Sequence, residues 1–311
     1  MPETTKKISV VVPLYNEKDS LEELYKRIKD SIENMGNSFE LILIDDGSTD
    51  GSSKIVAEIC EKDSRVKSIR FSVNSGKADA LQAGFEAADD DYIITMDADL
   101  QDDPAEIPAL IDALEKGLDM VSGWKKERKD PISKTLPSKL FNSVVRLFSG
   151  MKLHDFNCGL KGYRREVVKS LRIYGELHRF IPVLAKFHGF RVGEIPVKHY
   201  PRLHGKSKYG MKRFISGFLD LLTVILLTRY TKKPLHLFGS FGLLFCFLGG
   251  IVNAYIVYLW IQSGFHNIQG RQPLLVGGVF LFLLGVQFIS TGLLAELITH
   301  SSMDKSGRNH L

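Results

Sequence analysis

The chain has 311 residues, 25% of them charged, and a formal net charge of +5 at pH 7. This length allows one large domain or two small ones, and the mean hydropathy of −0.03 is ordinary for a soluble protein. The three cysteines, Cys60, Cys158 and Cys246, are widely scattered. Their spacing excludes a cysteine metal site and indicates free thiols in a reducing compartment.

The first 200 residues alternate short β-rich runs with amphipathic helical stretches. The predicted strands are Ile8–Leu14, Phe39–Ile44, Val66–Phe71, Tyr92–Met96 and Asp119–Ser122. The predicted helices are Leu21–Met35, Ser52–Lys62, Lys77–Ala88 and Pro104–Lys116. This alternation predicts an α/β fold, with a mostly parallel, Rossmann-like sheet covered by helices on both faces.

Polar side chains follow several of these strands, at the sheet edge where ligands of such folds bind. They occur at 15–17, at 45–48, and at Asp97 and Asp99. The turn after the first strand, Pro13–Glu17, lacks the G-x-G-x-x-G pattern of dinucleotide-binding enzymes, and the chain has no P-loop. The pattern therefore disfavours hydride transfer.

Two acids, Asp97 and Asp99, lie where a buried strand is predicted to end. Carboxylates one residue apart can bind a hard divalent cation and the phosphates that it bridges. The alternative is a polar turn before the next helix, with Asp103 as N-cap and Pro104 as the first helical residue. We interpret Asp102 and Asp103 as capping residues.

Two apolar segments, Leu235–Ile261 and Pro273–Ile298, make up most of the region 234–300. Each is long enough to span a hydrocarbon core of about 30 Å, which predicts a two-helix transmembrane hairpin. Before them, 211–233 shows apolar residues at helical spacing, but its apolar core is too short to cross a bilayer. This predicts interfacial amphipathic helices, and a third span is the alternative.

Basic residues precede the first span and follow the second, whereas the short link between the spans has a single Arg. These residues are Arg229, Lys232, Lys233, Lys305 and Arg308, and in the link Arg271. By the positive-inside rule, the domain 1–210 and the tail 301–311 are both cytoplasmic. The polar stretch Met1–Lys7 predicts no cleavable signal peptide.

Several motifs together resemble family 2 glycosyltransferases with the GT-A fold. The early motifs are Ser9–Glu17 (SVVVPLYNE), Asp45–Gly51 (DDGSTDG), Asn74–Lys77 (NSGK) and Asp97–Gln101 (DADLQ). The later ones are Asn157–Arg165 (NCGLKGYRR), His178–Phe180 (HRF) and Arg202–Tyr209 (RLHGKSKY). They look most like the polyprenyl-phosphate group of that family, which includes dolichol-phosphate mannose synthase and bacterial two-span polyprenyl-phosphate glucosyltransferases. The resemblance covers about residues 8–210.

A nucleotide sugar presents a base, a ribose and a diphosphate to the protein. Asp45 or Asp46 can accept hydrogen bonds from the base or ribose, and Lys77 beside free amides at a helix start suits the diphosphate. The resemblance implies further donor contacts, at Pro13, Tyr15, Glu17 and Asp97.

The acid pair would hold Mg²⁺ or Mn²⁺, which neutralises charge on the departing nucleoside diphosphate. The resemblance implies that Asp99 and Gln101 are the direct ligands, with Asp97 toward the nucleotide.

A basic segment, Lys198–Arg213, contains six Lys or Arg residues and no acid. A lipid phosphate in the membrane needs cations at this level, so we predict that Arg202 and Lys208 bind it. The resemblance adds Arg128 and Ser138. Solvated charges or contacts with anionic lipids are the alternative for any single Lys.

The acceptor phosphate needs little help from a base. Its second pKa is about 6, so it is largely dianionic near neutral pH, and positioning and charge neutralisation dominate. We predict Asp99 and Arg202 as catalytic residues. Asp155 is the nearby carboxylate that could act as a base.

The resemblance implies an inverting transfer of a single hexose, with a UDP-sugar donor favoured, to polyprenyl phosphate at the cytoplasmic face of a bacterial cell membrane. The product would supply cell-envelope glycan or glycosylation pathways. The implied partners are the donor, the lipid, the bilayer and, by analogy with two-span relatives, a homo-oligomer, but no nucleic acid.

Three other functions stay open. The first is a GDP-mannose-dependent dolichol-phosphate mannose synthase activity. The second is a processive polysaccharide synthase, disfavoured because neither Trp124 nor Trp260 lies in a Gln-x-x-Arg-Trp motif. The third is a membrane-tethered, non-catalytic sensor of nucleotide sugars.

Overall fold

The structure is a computed structural model that describes residues 6–126, 142–147, 149–201, 223, 233–263 and 270–308, with 301–308 by backbone alone. The chain divides into two compact units, Met1–Val224 and Ile225–Leu311. The predicted interfacial helices of 211–233 lie outside the described residues, apart from positions 223 and 233, and they stay a prediction. So do the predicted domain boundaries.

The first unit is built on a seven-stranded sheet with the order β3-β2-β1-β4-β6-β5-β7. Its strands are β1 (Lys7–Leu14), β2 (Ser38–Asp45), β3 (Val66–Arg70), β4 (Tyr92–Thr95), β5 (Met120–Lys125), β6 (Lys161–Arg164) and β7 (Val192–Val197). In this sheet β6 runs antiparallel to β4 and β5, and the other neighbouring pairs are parallel. The predicted mostly parallel α/β fold is confirmed.

Helices cover this sheet and bury its central strands. They are α1 (Leu21–Glu33), α2 (Ser52–Lys62), α3 (Lys77–Ala87), α4 (Ile107–Glu115), α5 (Arg165–Ser170) and α6 (Ile181–Phe187). Helix α1 buries Leu21, Leu24, Ile28 and Ile32, which recur at helical spacing. Strand β1 is buried on both faces, at Val10, Val11 and Val12, as expected for a parallel strand between two layers of helices.

Strands β6 and β7 were not among the predicted elements. Strand β6 has four residues, and its sequence, KGYR, contains two basic residues and a glycine. Strand β7 contains Pro196 and lies at the end of the sheet, where a proline is tolerated because one side of the strand needs no partner. Short length and atypical composition hide both strands from pattern analysis.

The second unit contains α7 (Pro234–Gln262) and α8 (Gln272–Arg308). Helix α7, and α8 as far as His300, are long and apolar enough to cross a membrane, and few of their apolar residues are buried. Large side chains such as Leu243 and Phe247 are exposed. The two predicted apolar helices are therefore present, and their orientation across a membrane remains a prediction.

Small residues bring α7 and α8 together. A Cβ at Gly249 of α7 would stand 2.6 Å from the Phe282 backbone nitrogen, and one at Gly285 of α8 would stand 2.6 Å from the Cys246 nitrogen. Near the start of α7, the Leu235 N–H donates to Glu296 of α8 at 3.2 Å. Close backbone approach at small residues and hydrogen bonds between helices are interactions that join helices in lipid.

Candidate active site

The loops after β1 and β2 are joined by hydrogen bonds at the carboxyl edge of the sheet. The Asn16 N–H donates to Ser48 Oγ at 3.0 Å, and the Glu17 N–H donates to Ser52 Oγ at 3.0 Å. Asn16 adopts a left-handed backbone with φ of 56°, and its side-chain oxygen accepts the Thr49 N–H at 2.7 Å. These bonds place the predicted donor residues Tyr15 and Glu17 beside the loop that follows β2.

Asp45 and Asp46 are buried and shape this loop from within. Asp45 accepts the Ser48 N–H at 2.8 Å and the Ser53 hydroxyl. Asp46 accepts the N–H groups of Ser75 at 2.7 Å and Gly76 at 3.0 Å. Their carboxylates therefore hold the loops together, and direct contacts from them to a nucleotide stay a prediction.

Lys77 is the first residue of α3, and its ammonium forms an ion pair with Asp97 just beyond the end of β4. Behind the Asp97 carboxylate lies the backbone of Gly159, where a Cβ would stand 2.6 Å from Asp97 Cγ. The predicted diphosphate residue and the first acid of the pair are therefore neighbours. The loop before β6 supports them from the other side.

The chain turns sharply between the two acids and Gln101. Leu100 has φ of 58° and is buried, and this turn lets Asp99 Oδ1 accept the Gln101 N–H at 3.2 Å. The Ser20 hydroxyl donates to the Ala98 carbonyl at 2.6 Å. These contacts fix the loop on which the predicted metal ligands lie.

The donor set suits a divalent cation that is shared with a substrate. Carboxylate oxygens of Asp97 and Asp99 and the amide oxygen of Gln101 are hard ligands. No group of three His, Cys, Asp or Glu side chains within the described ranges forms a metal cluster. The protein thus offers a partial set of ligands, as in sites where Mg²⁺ is held by one or two carboxylates and substrate phosphates.

The interpretation of Asp103 as a cap is confirmed, but that of Asp102 is wrong. Asp103 accepts the Ala105 N–H at 3.0 Å at the start of a 3₁₀ turn, Pro104–Glu106. Asp102 instead is buried and forms an ion pair with Lys125 at 3.2 Å, while His199 Nδ1 lies 3.8 Å away. The capping pattern did not anticipate this buried partner because Lys125 is distant in sequence.

The electrostatics of this buried pair follow from its geometry. Burial alone would raise the pKa of Asp102, but the charge of Lys125 and the neighbouring His199 hold it below its usual range. Burial likewise opposes the charged form of Lys125, and Asp102 nevertheless keeps the pKa of Lys125 above its ordinary value. Both groups are charged at neutral pH.

Lys161, at the start of β6, is a buried lysine that the sequence interpretation left without a role. Its side-chain nitrogen donates to the Cys158 carbonyl, and burial lowers its pKa. It lines a small pocket together with Lys77, Asp97 and His178. Its place within the Asn157–Arg165 motif was the signal that the sequence offered.

Cys158 is fully buried beside this lysine. Burial raises the pKa of its thiol to about 12, so it stays neutral, as expected for a free thiol in a packed core.

Asp155 is buried, and its carboxylate accepts the Asn157 N–H at 3.0 Å. This turn leads directly to Gly159 and so helps to place the backbone behind Asp97. A role for Asp155 as a base stays a prediction. The predicted acceptor-phosphate residues Arg128, Ser138, Arg202 and Lys208 lie outside the described residues.

Residues 9–172, which run from the third residue of β1 past the end of α5 and include the acid pair, match the family described as glycosyl transferase family 2. The chain belongs to this family. Its first unit has the GT-A-like architecture of these glycosyltransferases, and the predicted family and enzyme class are confirmed.

Two curated relatives of this family 2 member are similar over nearly its whole length. Dodecaprenyl-phosphate galacturonate synthase of Rhizobium johnstonii is 39% identical over 96% of this chain and 90% of that protein. Undecaprenyl-phosphate 4-deoxy-4-formamido-L-arabinose transferase of Edwardsiella ictaluri is 37% identical over 94% of this chain and 88% of that protein.

Solved structures support the fold of this family 2 enzyme. Glucosyl-3-phosphoglycerate synthase from Mycobacterium tuberculosis, in complex with Mn²⁺, UDP and phosphoglyceric acid, superposes with a TM-score of 0.56 at 18% identity. The alignment covers 72% of this chain and 78% of that one. The complex of the same synthase with Mn²⁺, UDP-glucose and phosphoglyceric acid gives a TM-score of 0.55.

Proposed function

We propose that this enzyme transfers one sugar from a nucleotide sugar to polyprenyl phosphate at the cytoplasmic face of a bacterial membrane. The observation that supports this most strongly is the near full-length similarity to two relatives whose names both specify a polyprenyl phosphate. The two apolar helices give the chain a means of reaching a lipid acceptor.

The donor would bind at the loops on the carboxyl edge of the sheet. We expect the base and ribose to contact Pro13 at the end of β1, together with Tyr15, Glu17 and the loop held by Asp46. We expect the Lys77 ammonium to exchange its ion pair with Asp97 for one with the diphosphate, since an ammonium at a helix start suits an anion. This exchange would connect donor binding to the acid pair.

Asp99 and Gln101 would hold Mg²⁺ or Mn²⁺, with Asp97 on the nucleotide side. When bound, the cation supplies charge neutralisation to the departing diphosphate. The chain's own contribution is to fix these oxygens through the turn at Leu100 and the hydrogen bond from Ser20 to Ala98.

The acceptor phosphate attacks the anomeric carbon of the sugar directly. A bond forms between a phosphate oxygen and this carbon, the bond from the carbon to the diphosphate oxygen breaks, and the electron pair leaves with the nucleoside diphosphate. The dianionic phosphate gives up no proton, so Asp155 need not accept one. A single displacement inverts the anomeric configuration.

Side chains from two segments would hold the acceptor phosphate. Arg202 and Lys208 follow β7, and Arg128 and Ser138 follow β5. Both segments lie in the proposed cytoplasmic domain 1–210, followed by interfacial helices over 211–233 and two spans within 234–300. With both termini cytoplasmic, these side chains would face the leaflet that carries the lipid phosphate.

The donor we propose is a UDP-hexose. The names of the two relatives specify different sugars, a galacturonate and a formamido derivative of arabinose. A test must therefore include uronates and pentose derivatives beside UDP-glucose, UDP-N-acetylglucosamine and GDP-mannose.

The test uses the full-length protein purified in detergent, with Mn²⁺ or Mg²⁺, polyprenyl phosphate and each labelled nucleotide sugar in turn. We expect one donor to give a lipid-linked product that depends on the cation. For the variants described below, the matched control is Asp112→Asn, because Asp112 is exposed on α4 and pairs with Lys116, the residue that follows this helix. Failure of every donor to label the lipid would refute the proposed function.

A further inference from the structure

Three segments of the chain that are far apart in sequence meet at Asp102. The first is the loop 97–102 that contains the acid pair, the second is the end of β5 at Lys125, and the third is 198–200, just after β7. Asp102 and His199 form an isolated antiparallel bridge. Next to it, the Tyr200 N–H donates to the Gln101 carbonyl at 2.9 Å.

The centre of this contact is charged and excluded from solvent. Asp102 is 1% exposed, and Lys125 reaches it at 3.2 Å with 13% of its side chain exposed. The His199 ring is 6% exposed and lies 3.8 Å from the same carboxylate oxygen. A buried charge is stable only with a partner in good geometry, so these three side chains fix one another's positions. We name this set the Asp102 cluster.

Further contacts hold 198–200 along the loop. The Gln101 side-chain amide donates to the Tyr200 carbonyl at 3.2 Å, and the Lys198 N–H donates to Glu106 at 3.4 Å. Lys125 also pairs in register with Val197 between β5 and β7. The loop of the acid pair is therefore attached to the ends of both strands.

These two strand ends lead into the segments with the proposed acceptor residues. Lys125 comes three residues before Arg128, and His199 comes three residues before Arg202. The attacking phosphate oxygen and the anomeric carbon must be held about 3–3.5 Å apart for direct attack, and a misplacement of about 1 Å can cost about a hundredfold in rate. Among the residues that the structure describes, the Asp102 cluster joins all three segments to one another.

We propose that Asp102 is a positioning residue for the acceptor, acting through Lys125 and His199. It sets the register between the cation-binding loop and the chain that leads to the acceptor cations. The proposal rests on the proposed function. Stability alone does not account for the cluster, because buried ion pairs can often be replaced by apolar residues without loss.

The test compares Asp102→Asn with the unsubstituted full-length protein in detergent, using Asp112→Asn as the matched control. Donor binding is measured by titration with UDP or GDP in the presence of Mn²⁺, and transfer is measured at varied polyprenyl phosphate. We expect kcat/KM for the lipid to fall by about tenfold or more, while the nucleotide Kd and the KM for the donor change by less than about twofold.

A second variant separates positioning from folding. His199→Gln keeps the ion pair between Asp102 and Lys125, so it should fold even if Asp102→Asn does not, and it should show the same selective loss for the lipid. In Asp102→Asn with Lys125→Met, the buried ion pair is absent altogether. We expect thermal stability to recover in this double variant, whereas kcat/KM for the lipid stays low.

Equal losses for donor and lipid, or an unchanged kcat/KM for the lipid in His199→Gln, would overturn the positioning role. Recovery of lipid kinetics together with stability in the double variant would overturn it as well. The unsubstituted protein distinguishes this failure from failure of the proposed function. If it labels polyprenyl phosphate, the function holds and the variants alone decide; if it labels none, both proposals fall.

Discussion

Gly159 lies directly behind the Asp97 carboxylate, so that a Cβ at position 159 would stand 2.6 Å from Asp97 Cγ and 2.7 Å from Oδ2. Asp97 itself is ion-paired with Lys77 on its other side. The first acid of the pair is thus confined between a cation and a backbone, and its position depends on the absence of a side chain at 159.

Gly159→Ala should therefore displace the Asp97 carboxylate. We expect nucleotide binding with Mn²⁺ to weaken by about tenfold, because the new methyl group occupies space that the carboxylate now fills. Titration with UDP or GDP measures this. Gly150→Asn is the control, since Gly150 has φ of +64° with nothing near its Cβ position, and Asn tolerates this conformation. Equal binding by both variants would contradict the prediction.

Asp99→Ala should abolish transfer and leave membrane insertion intact. Asp99 is a proposed cation ligand, and removal of such a carboxylate takes away the charge that holds the cation near the diphosphate. Transfer to polyprenyl phosphate and recovery in the membrane fraction are measured together, with Asp112→Asn as the control. Unchanged turnover in Asp99→Ala would refute its role in cation binding.

Asp63 should make stability depend on pH. Its carboxylate accepts bonds from Arg65 and from the Tyr25 hydroxyl at 2.8 Å, and the bonds from Arg65 hold its pKa below the usual range. A depressed carboxyl pKa stabilises the fold above the unfolded value, about 3.9, and this contribution is lost as the pH falls further through the folded value.

Asp63→Asn should therefore cost about 1 kcal/mol of stability at pH 7, the value of a partly exposed charged hydrogen bond. The difference from the unsubstituted protein should shrink below about pH 4. Thermal unfolding from pH 7 to pH 3 measures it. A difference that is constant over this range, or equal to that of Asp112→Asn, would show that the charge of Asp63 contributes nothing.

The apolar hairpin offers a matched pair of neighbouring glycines. At Gly249 a Cβ would meet the backbone of Phe282 at 2.6 Å, whereas at Gly250 it would meet nothing within 4 Å. Gly249→Ala should separate α7 from α8 and lower the thermal midpoint in detergent. Gly250→Ala should be neutral or stabilising by up to about 1 kcal/mol, because Ala favours helix. Similar midpoints for both variants would contradict this packing.

Pattern analysis predicted the elements whose apolar side chains form a continuous run or recur at helical spacing. Strand β1 (KISVVVPL) is mostly apolar, and α1 repeats its buried leucines and isoleucines at helical spacing. The acid pair lies just beyond the end of β4, as predicted. The carboxyl ends of parallel strands meet at one edge of the sheet, which is where ligands of such folds bind. The two apolar helices were predicted from the length of their segments and from the scarcity of charged residues in them.

Residues whose environment depends on distant parts of the chain could not be assigned in this way. Asp102 and Asp103 are adjacent acids before the same helix, yet Asp103 is a half-buried cap and Asp102 is buried against a lysine from β5. Lys161 gives no sign in sequence of its burial beside Cys158. Sheet order decides these environments, and no local pattern encodes the place of β6 between β4 and β5.

The central claim is that the nucleophile is a lipid phosphate that receives one sugar. Mass spectrometry of the lipid product, after reaction of the full-length enzyme with polyprenyl phosphate and its preferred nucleotide sugar, tests it most directly. We predict a single species in which one sugar is added to polyprenyl phosphate, with one nucleoside diphosphate released for each. A ladder of longer glycans, or free sugar with unmodified lipid, would contradict the account.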